Sequence, residues 1–144
     1  MTKMVDISGK EMQLRTAKAR GEINLKKETI EAIKKGSVKK GDVFSTAQTA
    51  AILAVKNTPN LIPLCHPVPI NAVDVSFDVE EGTIACECEV VARYSTGMEM
   101  ESLVGVSVAL LTIWDMVKYL EKDDMGQYPT TQIGNIRVIS KQKE

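Results

Sequence analysis

Four charged residues at the two ends of one long apolar segment are the side chains best suited to acid–base chemistry. Glu99 and Glu101 lie at its start, and Asp115 and Lys118 lie at its end. Asp115 and Lys118 are three residues apart, which makes them neighbours on a helix surface. Charges beside apolar sequence are costly unless they are paired or functional. The pattern therefore predicts either a structural Asp115–Lys118 ion pair or an acid–base site.

The segment between these charges predicts a helix that is buried on more than one side. Residues 104–114 are apolar almost all round, which is typical of a helix in an oligomer core. Glu101 and Asp115 share one side of this helix, but they are 14 residues apart. At the helical rise this separation is roughly 21 Å, so the two carboxylates cannot touch within one chain.

His66 is the only histidine, and it follows Cys65 in a stretch with three prolines over residues 61–70. The prolines predict an extended, stiff segment that fixes the direction of a side chain. Because imidazole titrates near neutral pH, His66 suits proton transfer or a hydrogen bond to substrate. The alternative is a loop histidine with a purely structural hydrogen bond.

Lys39 and Lys40 precede a predicted helix that begins at Asp42. A lysine near a helix N-terminus is electrostatically unfavourable. It becomes favourable when an anion binds there, because the ammonium and the backbone N–H groups then face the same charge. This position therefore predicts an anion site at Lys40, with an exposed lysine pair as the alternative.

Cys65, Cys86 and Cys88 form an odd set without a C-x-x-C motif. Such usage predicts reduced thiols in a cytoplasmic protein. Cys86 and Cys88 alternate with polar residues in a predicted strand, so we interpret them as small core side chains. A metal or redox module built on the three thiols is the alternative, although zinc-site spacings are absent. We expect neither a metal nor a cofactor.

Strands and helices must alternate along the chain to position these residues. The predicted elements are a strand near 12–19, helices over 26–35 and 42–56, strands over 73–79 and 84–90, a helix over 98–122 and a strand over 136–139. Turn-forming residues predict non-helical chain over 57–70 and a loop over 123–135. The order predicts one α+β domain over residues 1–144, with an antiparallel sheet and helices on one face.

Composition excludes several classes of protein. The 144 residues are 44% hydrophobic with a net charge of −1, which excludes long-range disorder. The longest apolar run has 13 residues, and no N-terminal stretch resembles a secretory signal, so we expect no membrane contact. Aromatic residues make up 4%, too few to stack on single-stranded nucleic acid. The first 40 residues carry 11 Lys/Arg against 5 Asp/Glu, which suits an anionic ligand, an acidic neighbouring subunit or a solvated surface.

Three segments together resemble the cyclic pyranopterin monophosphate synthase family of molybdenum cofactor biosynthesis. They are MVDIS at 4–8, KGDVFSTAQTAAILAVKNTPNLIPLCHP at 40–67 and TGMEMESLVGVSVALLTIWDMVK at 96–118. LIPLCHP and TGMEME are long, unusual strings, and the resemblance covers roughly residues 4–125.

The resemblance implies a ferredoxin-like α+β subunit in a hexamer built from dimers, with active sites at subunit interfaces. Groups that are far apart on one helix would then meet through a second chain. It also implies a lyase that converts 3′,8-cyclo-7,8-dihydroguanosine 5′-triphosphate to cyclic pyranopterin monophosphate and pyrophosphate without a redox cofactor. Such a reaction needs several proton transfers and a cationic cradle for the triphosphate.

The family's site residues carry over to this chain position by position. Lys40, Asp115 and Lys118 match the catalytic residues, with the lysines as proton donors and anion stabilisers and Asp115 as the orienting or deprotonating group. The residues that match or adjoin the substrate contacts are Leu64, Cys65, His66, Glu99, Met100 and Glu101. Two basic residues at family positions, Arg15 and Lys56, are expected to hold phosphates.

The C-terminus departs from the family pattern. The link over 123–134 is longer than usual, and residues 140–144 lack the usual Lys/Ser/Gly-rich tail. If that tail covers the site, closure or phosphate binding differs in this chain. The competing interpretation is a ferredoxin-like regulator that binds a small molecule without chemistry. It explains the fold but not the match at Lys40, Asp115 and Lys118.

Overall fold

A four-stranded antiparallel sheet with helices on one face forms the structure, a computed structural model that describes residues 1–144. In chain order the elements are β1 (Gln13–Asn24), α1 (Lys27–Lys35), α2 (Val43–Lys56), α3 (Thr58–Leu61), β2 (Ala72–Glu80), β3 (Thr83–Tyr94), α4 (Glu99–Glu121) and β4 (Gln132–Lys143). The strands lie in the order β2-β3-β1-β4 across the sheet. This order, with helices after β1 and β3, is the predicted ferredoxin-like arrangement.

Strands β1, β2 and β3 form because small or apolar residues alternate with polar ones. In β1, Ala17 and Ala19 are buried toward the helices, whereas Lys18 and Arg20 lie on the opposite face. β2 and β3 alternate in the same way, and Gly82, with a φ of 78°, forms the turn between them. The predicted hairpin is confirmed, and its inner face contributes to the hydrophobic core.

Two glycines allow α4 to pack closely on its neighbours. A Cβ on Gly105 would lie 2.6 Å from Cys88 Sγ in β3 and 2.9 Å from Val55 Cγ2 in α2. A Cβ on Gly21 of β1 would lie 2.8 Å from Val106 Cγ1. These separations are well inside normal contact distance. α4 is therefore buried against both the sheet and α2, as its apolar composition predicts.

By length and composition alone, the 23 residues of α4 could cross a membrane. The sequence analysis excluded a segment of membrane-spanning length because it counted only the uninterrupted apolar run. That criterion was too strict, since the helix continues through charged residues at both ends. In the structure, the buried residues of α4 pack into the core beside the sheet. This position is that of the central helix in a layered α+β fold.

Several predicted element boundaries were wrong, including the end of β3, which runs to Tyr94 and not to residue 90. Thr58–Leu61 is helical, since Pro59 stands in the first turn, where a missing N–H is tolerated. β1 extends to Asn24, beyond the predicted strand near 12–19. β4 runs from Gln132 to Lys143, so part of the predicted loop and most of the predicted tail belong to this strand. Its polar composition and irregular register with β1 are typical of an edge strand.

A buried carboxylate fixes the C-terminal end of α4. Glu121 is 0% exposed and accepts hydrogen bonds from the Thr131 hydroxyl at 2.6 Å, the Lys26 N–H at 3.0 Å and the Thr29 hydroxyl. These bonds join α4 to the start of α1 and to the chain before β4. They therefore hold the helix end that carries the predicted catalytic residues.

Candidate active site

Lys40, Asp115 and Lys118, here called the Asp115 cluster, meet near the C-terminal end of α4. The Lys118 ammonium lies 3.2 Å from Asp115 Oδ1, one turn earlier on the helix. Lys40 Nζ lies 3.3 Å from Asp115 Oδ2 and donates to the Asp115 backbone carbonyl at 2.9 Å. Two lysines thus hold one carboxylate, although 75 residues separate Lys40 from Asp115.

The packing of α2 explains why Lys40 reaches α4. Asp42 caps α2 by accepting from the Ser45 N–H at 2.8 Å, which fixes the chain just ahead of the helix. α2 runs antiparallel to α4, because its start lies beside Asp115 and Val55 near its end lies beside Gly105. The anionic partner of Lys40 in the isolated chain is therefore the Asp115 carboxylate.

The Asp115 cluster is open to solvent. The side-chain exposure is 61% for Asp115 and 43% for each lysine. Hydrogen bonds from Lys118 and then from Lys40 lower the pKa of Asp115 below its ordinary value of 3.8. Asp115 is therefore ionised at neutral pH. A carboxylate between two ammonium groups can orient a substrate and exchange protons while the lysines stabilise negative charge.

A second group of predicted residues lines a cavity of about 310 Å³, here called the His66 cavity, at the N-terminal end of α4. Its walls come from the proline-rich stretch and the start of α4, and they are Ile62, Leu64, Cys65, His66, Thr96, Gly97, Glu99 and Met100. Leu64 and Met100 are exposed apolar side chains. Such a mixture of apolar walls and a few polar groups suits a small ring system.

Glu101 lies next to this cavity behind Cys65 and is only 1% exposed. Cys65 Sγ donates to Glu101 Oε2 at 3.7 Å, while Oε1 has no hydrogen-bond partner. Burial raises the pKa of Glu101 above its ordinary 4.5 and outweighs the opposing hydrogen bonds. Burial, followed by the charge of Glu101, raises the pKa of Cys65 to about 11. An unsatisfied buried carboxyl can supply a proton or bind a polar substrate group.

A second cavity of about 220 Å³, here called the Arg15 cavity, adjoins the His66 cavity, since Gly97 and Glu99 line both. Arg15 of β1 and Lys141 and Lys143 of β4 make it basic. Lys141 forms an ion pair with Glu99 at 2.9 Å. Burial alone would raise the pKa of Glu99, but the Lys141 hydrogen bond, the Glu99 N–H and the nearby positive charges together lower it. This cavity suits an anionic group.

Lys141 and Lys143 are candidate site residues that the sequence interpretation did not include. Their spacing of two residues places both on one face of a strand. The predicted strand ended at residue 139, because the polar residues that follow lack an apolar alternation. Arg15 was predicted, and its guanidinium donates to the Tyr94 carbonyl at 3.1 Å. Lys56 lies exposed in the last turn of α2 without an ion-pair partner.

The predicted residues form two groups, one at each end of α4, and the two groups do not meet within the chain. Glu101 and Asp115 are separated by 14 residues of continuous helix, or roughly 21 Å. Cys86 and Cys88 are buried in β3, whereas Cys65 is half-buried in the proline-rich stretch, and no group of three His, Cys, Asp or Glu side chains is placed to hold a metal ion. The three thiols thus share no common site.

Comparison with known proteins identifies relatives over nearly the full chain. The sequence profile of the MoaC family matches residues 4–144. A probable cyclic pyranopterin monophosphate synthase of Thermococcus onnurineus is 59% identical over 99% of this chain and 91% of that protein. Proteins of the same name from Pyrococcus horikoshii (58% identical, 98% and 89% covered) and Thermococcus kodakarensis (59% identical, 98% and 90% covered) are equally similar. The profile match and these identities establish that the chain belongs to the MoaC family.

Proposed function

We propose that this chain is a lyase of molybdenum cofactor biosynthesis that converts 3′,8-cyclo-7,8-dihydroguanosine 5′-triphosphate to cyclic pyranopterin monophosphate and pyrophosphate. Membership of the MoaC family and the names of its relatives support this activity. The observation that carries the proposal is the Asp115 cluster, where two ammonium groups from distant parts of the chain flank one exposed carboxylate. Exposed ion pairs add little stability, so function is the better reason for this arrangement.

The reaction opens the imidazole ring of the purine, forms the pyranopterin and closes a cyclic phosphate. In the closure a sugar hydroxyl attacks the α-phosphorus, the bond to the bridging oxygen breaks, and pyrophosphate leaves. The hydroxyl loses its proton and the leaving oxygen is stabilised by positive charge. Lys40 and Lys118 supply protons and stabilise these anions, and Asp115 orients the lysines or accepts a proton.

The two cavities divide substrate binding between the ring system and the phosphates. In the His66 cavity, His66 binds a polar edge of the ring system while Leu64 and Met100 contact its faces. Glu101, buried next to this cavity behind Cys65, binds a further polar edge. In the Arg15 cavity, Arg15 and the β4 lysines hold phosphates. Lys56, which lies outside this cavity in the last turn of α2, is a further candidate phosphate contact. Lys141 is already paired with Glu99, so a bound phosphate competes with that carboxylate.

The complete site combines the Asp115 cluster of one subunit with the His66 and Arg15 cavities of another. The separation along α4 supports this arrangement, because the Asp115 cluster lines no cavity of its own and the two cavities lack a carboxylate flanked by two lysines. Leu53 of α2 and Leu111 of α4 are 60% and 58% exposed in the single chain, and exposed apolar side chains of this size are typical of subunit interfaces. We propose a cytoplasmic hexamer of single-domain subunits built from such dimers.

Anaerobic incubation with the cyclised triphosphate, followed by assays of both products, tests the proposal. The wild type is expected to form cyclic pyranopterin monophosphate and pyrophosphate in equal amounts. Lys118→Ala is expected to lower kcat by a factor of about 10²–10⁴. The control Lys35→Ala removes an exposed lysine without an ion pair and is expected to keep full activity. Substrate binding without products would favour the regulator instead, and full turnover by Lys118→Ala would remove Lys118 from the mechanism.

A further inference from the structure

The chain's only histidine is held by the N-terminal segment. Residues 4–8, here called the N-terminal strap, precede β1 and line a cavity together with His66, here called the strap cavity. His66 Nε2 lies 2.7 Å from the carbonyl oxygen of Val5. This contact is the one hydrogen bond between the strap and any residue beyond Lys10. The geometry thus singles out His66 as the anchor of the strap.

Local turns give the strap a defined shape. Asp6 Oδ1 accepts from the Ser8 N–H at 2.8 Å, and the Lys10 N–H donates to the Ile7 carbonyl at 3.1 Å. An Asx turn of this kind fixes the backbone of its own residues. The Val5 carbonyl therefore meets the histidine from a short structured segment.

The chemistry of the two partners decides where the histidine proton lies. A backbone carbonyl can only accept a hydrogen bond, so Nε2 of His66 must carry a proton. Nδ1 makes no hydrogen bond within the chain. His66 also lines both the strap cavity of about 480 Å³ and the His66 cavity. His66 is therefore common to both cavities, and its Nε2 is already hydrogen-bonded to the strap.

We propose that the N-terminal strap is a positioning element for the reaction, in which the Val5 carbonyl keeps the proton on Nε2 and presents Nδ1 of His66 to the substrate. The neutral ring then accepts a proton or a hydrogen bond at Nδ1, becomes an imidazolium while Nε2–H stays in place, and returns the proton from the same atom. The catalytic part of this inference rests on the proposed function. The tautomer and its cause stand without it.

Because His66 is the only histidine, ¹⁵N-histidine labelling gives one pair of ring signals. At alkaline pH the full chain is expected to show a protonated Nε2 with a visible N–H proton and an unprotonated Nδ1. Deletion of residues 2–8 leaves β1 intact, since that strand begins at Gln13. In this variant the Nε2–H signal is expected to broaden through exchange with water. The matched control, deletion of residues 2–3, keeps the strap and should retain the signal. A protonated Nδ1 in the full chain, or an unchanged signal after deletion of 2–8, would overturn the proposal.

Kinetics test whether the strap acts through His66. Deletion of 2–8 is expected to lower kcat about tenfold with a smaller change in KM, because it loosens the orientation of a group that contacts the substrate. In a His66→Ala background the same deletion should cost nothing further, since coupled residues are not additive. An equal loss in both backgrounds would show a purely structural role and contradict the proposal.

The two sets of measurements separate this inference from the proposed function. In one outcome, neither the wild type nor any variant turns over substrate, but the Nε2–H signal is protected whenever the strap is present and broadens without it. The hydrogen bond between the strap and His66 is then supported, and the proposed synthase activity is rejected. If the wild type is active and the two deletions behave alike in both assays, the activity stands and the strap proposal fails.

Discussion

Asp115→Asn separates the chemistry of the Asp115 cluster from its contribution to stability. The substitution keeps the side-chain volume and removes the charge that both lysines face. Lys40 retains its hydrogen bond to the Asp115 backbone carbonyl, at 2.9 Å. Lys118 loses its carboxylate partner at 3.2 Å. The variant therefore changes the electrostatics of the cluster while the backbone and one lysine stay in place.

The expected effects on stability and on turnover differ greatly in size. Asp115 is 61% exposed, so solvent screens both ion pairs, and pairs of this kind contribute about 0.2–1 kcal/mol each. The free energy of unfolding is thus expected to fall by about 2 kcal/mol or less. If the carboxylate takes part in proton transfer, kcat should fall by about 10²–10⁴.

Urea denaturation and the anaerobic product assay measure the two quantities. Asp124→Asn, a nearby exposed carboxylate without a hydrogen bond or ion pair, is the matched control and should change neither. A stability loss of several kcal/mol with retained turnover would refute the reasoning, because it would make the cluster structural.

The pH dependence of this comparison has a definite sign. The pKa of Asp115 is lower in the folded chain than its ordinary 3.8, chiefly because Lys118 and Lys40 donate to the carboxylate. Its stabilising contribution is therefore present above the unfolded value and is lost only as the pH falls through the lower folded value. The stability difference between wild type and Asp115→Asn should stay constant from about pH 8 to about pH 5.

Three further predictions concern α4 and its neighbours. Gly105→Ala is expected to lower the free energy of unfolding by up to about 2 kcal/mol, because overpacking exceeds the gain in helix propensity; adding Cys88→Ala should recover part of the loss, since Cys88 Sγ would lie 2.6 Å from the new Cβ. Glu121→Ala leaves the Thr29, Thr131 and Lys26 donors without an acceptor. The free energy of unfolding, measured by urea denaturation, should fall by about 3 kcal/mol or more. A loss below about 1 kcal/mol would contradict the role of Glu121. Cys65, with its pKa raised to about 11 by burial and by Glu101, should react with iodoacetamide at pH 8 about 100-fold more slowly than an ordinary thiol; Glu101→Gln should speed the reaction, and an unperturbed rate in the wild type would rule out the raised pKa.

Local patterns predicted the elements whose apolar residues keep a clear period. The alternation of Val73, Val75 and Phe77 gave the hairpin, and the stripe through Leu103 to Leu120 gave α4. β4 was largely missed because an edge strand needs few apolar residues. α3 was missed because Pro59 ends one helix and also fits the first turn of the next.

The candidate site shows the same division between local and distant information. The Asp115–Lys118 pair follows from a spacing of three residues on a helix. The approach of Lys40 does not, because it depends on the antiparallel packing of α2 on α4. The His66–Val5 hydrogen bond joins residues 61 positions apart, and no local period encodes it. These positions came from a resemblance or from the structure.

Mixing two inactive variants tests most directly whether the active site combines two subunits. Lys118→Ala and Glu101→Gln are each expected to be inactive alone. If each site takes Lys118 from one subunit and Glu101 from another, random mixing of equal amounts leaves both residues intact in about a quarter of the sites. Denaturing and refolding the mixture should therefore restore about 25% of wild-type product formation, while each variant refolded alone stays inactive. A mixture that remains inactive, although mass spectrometry shows mixed oligomers, would contradict the shared site.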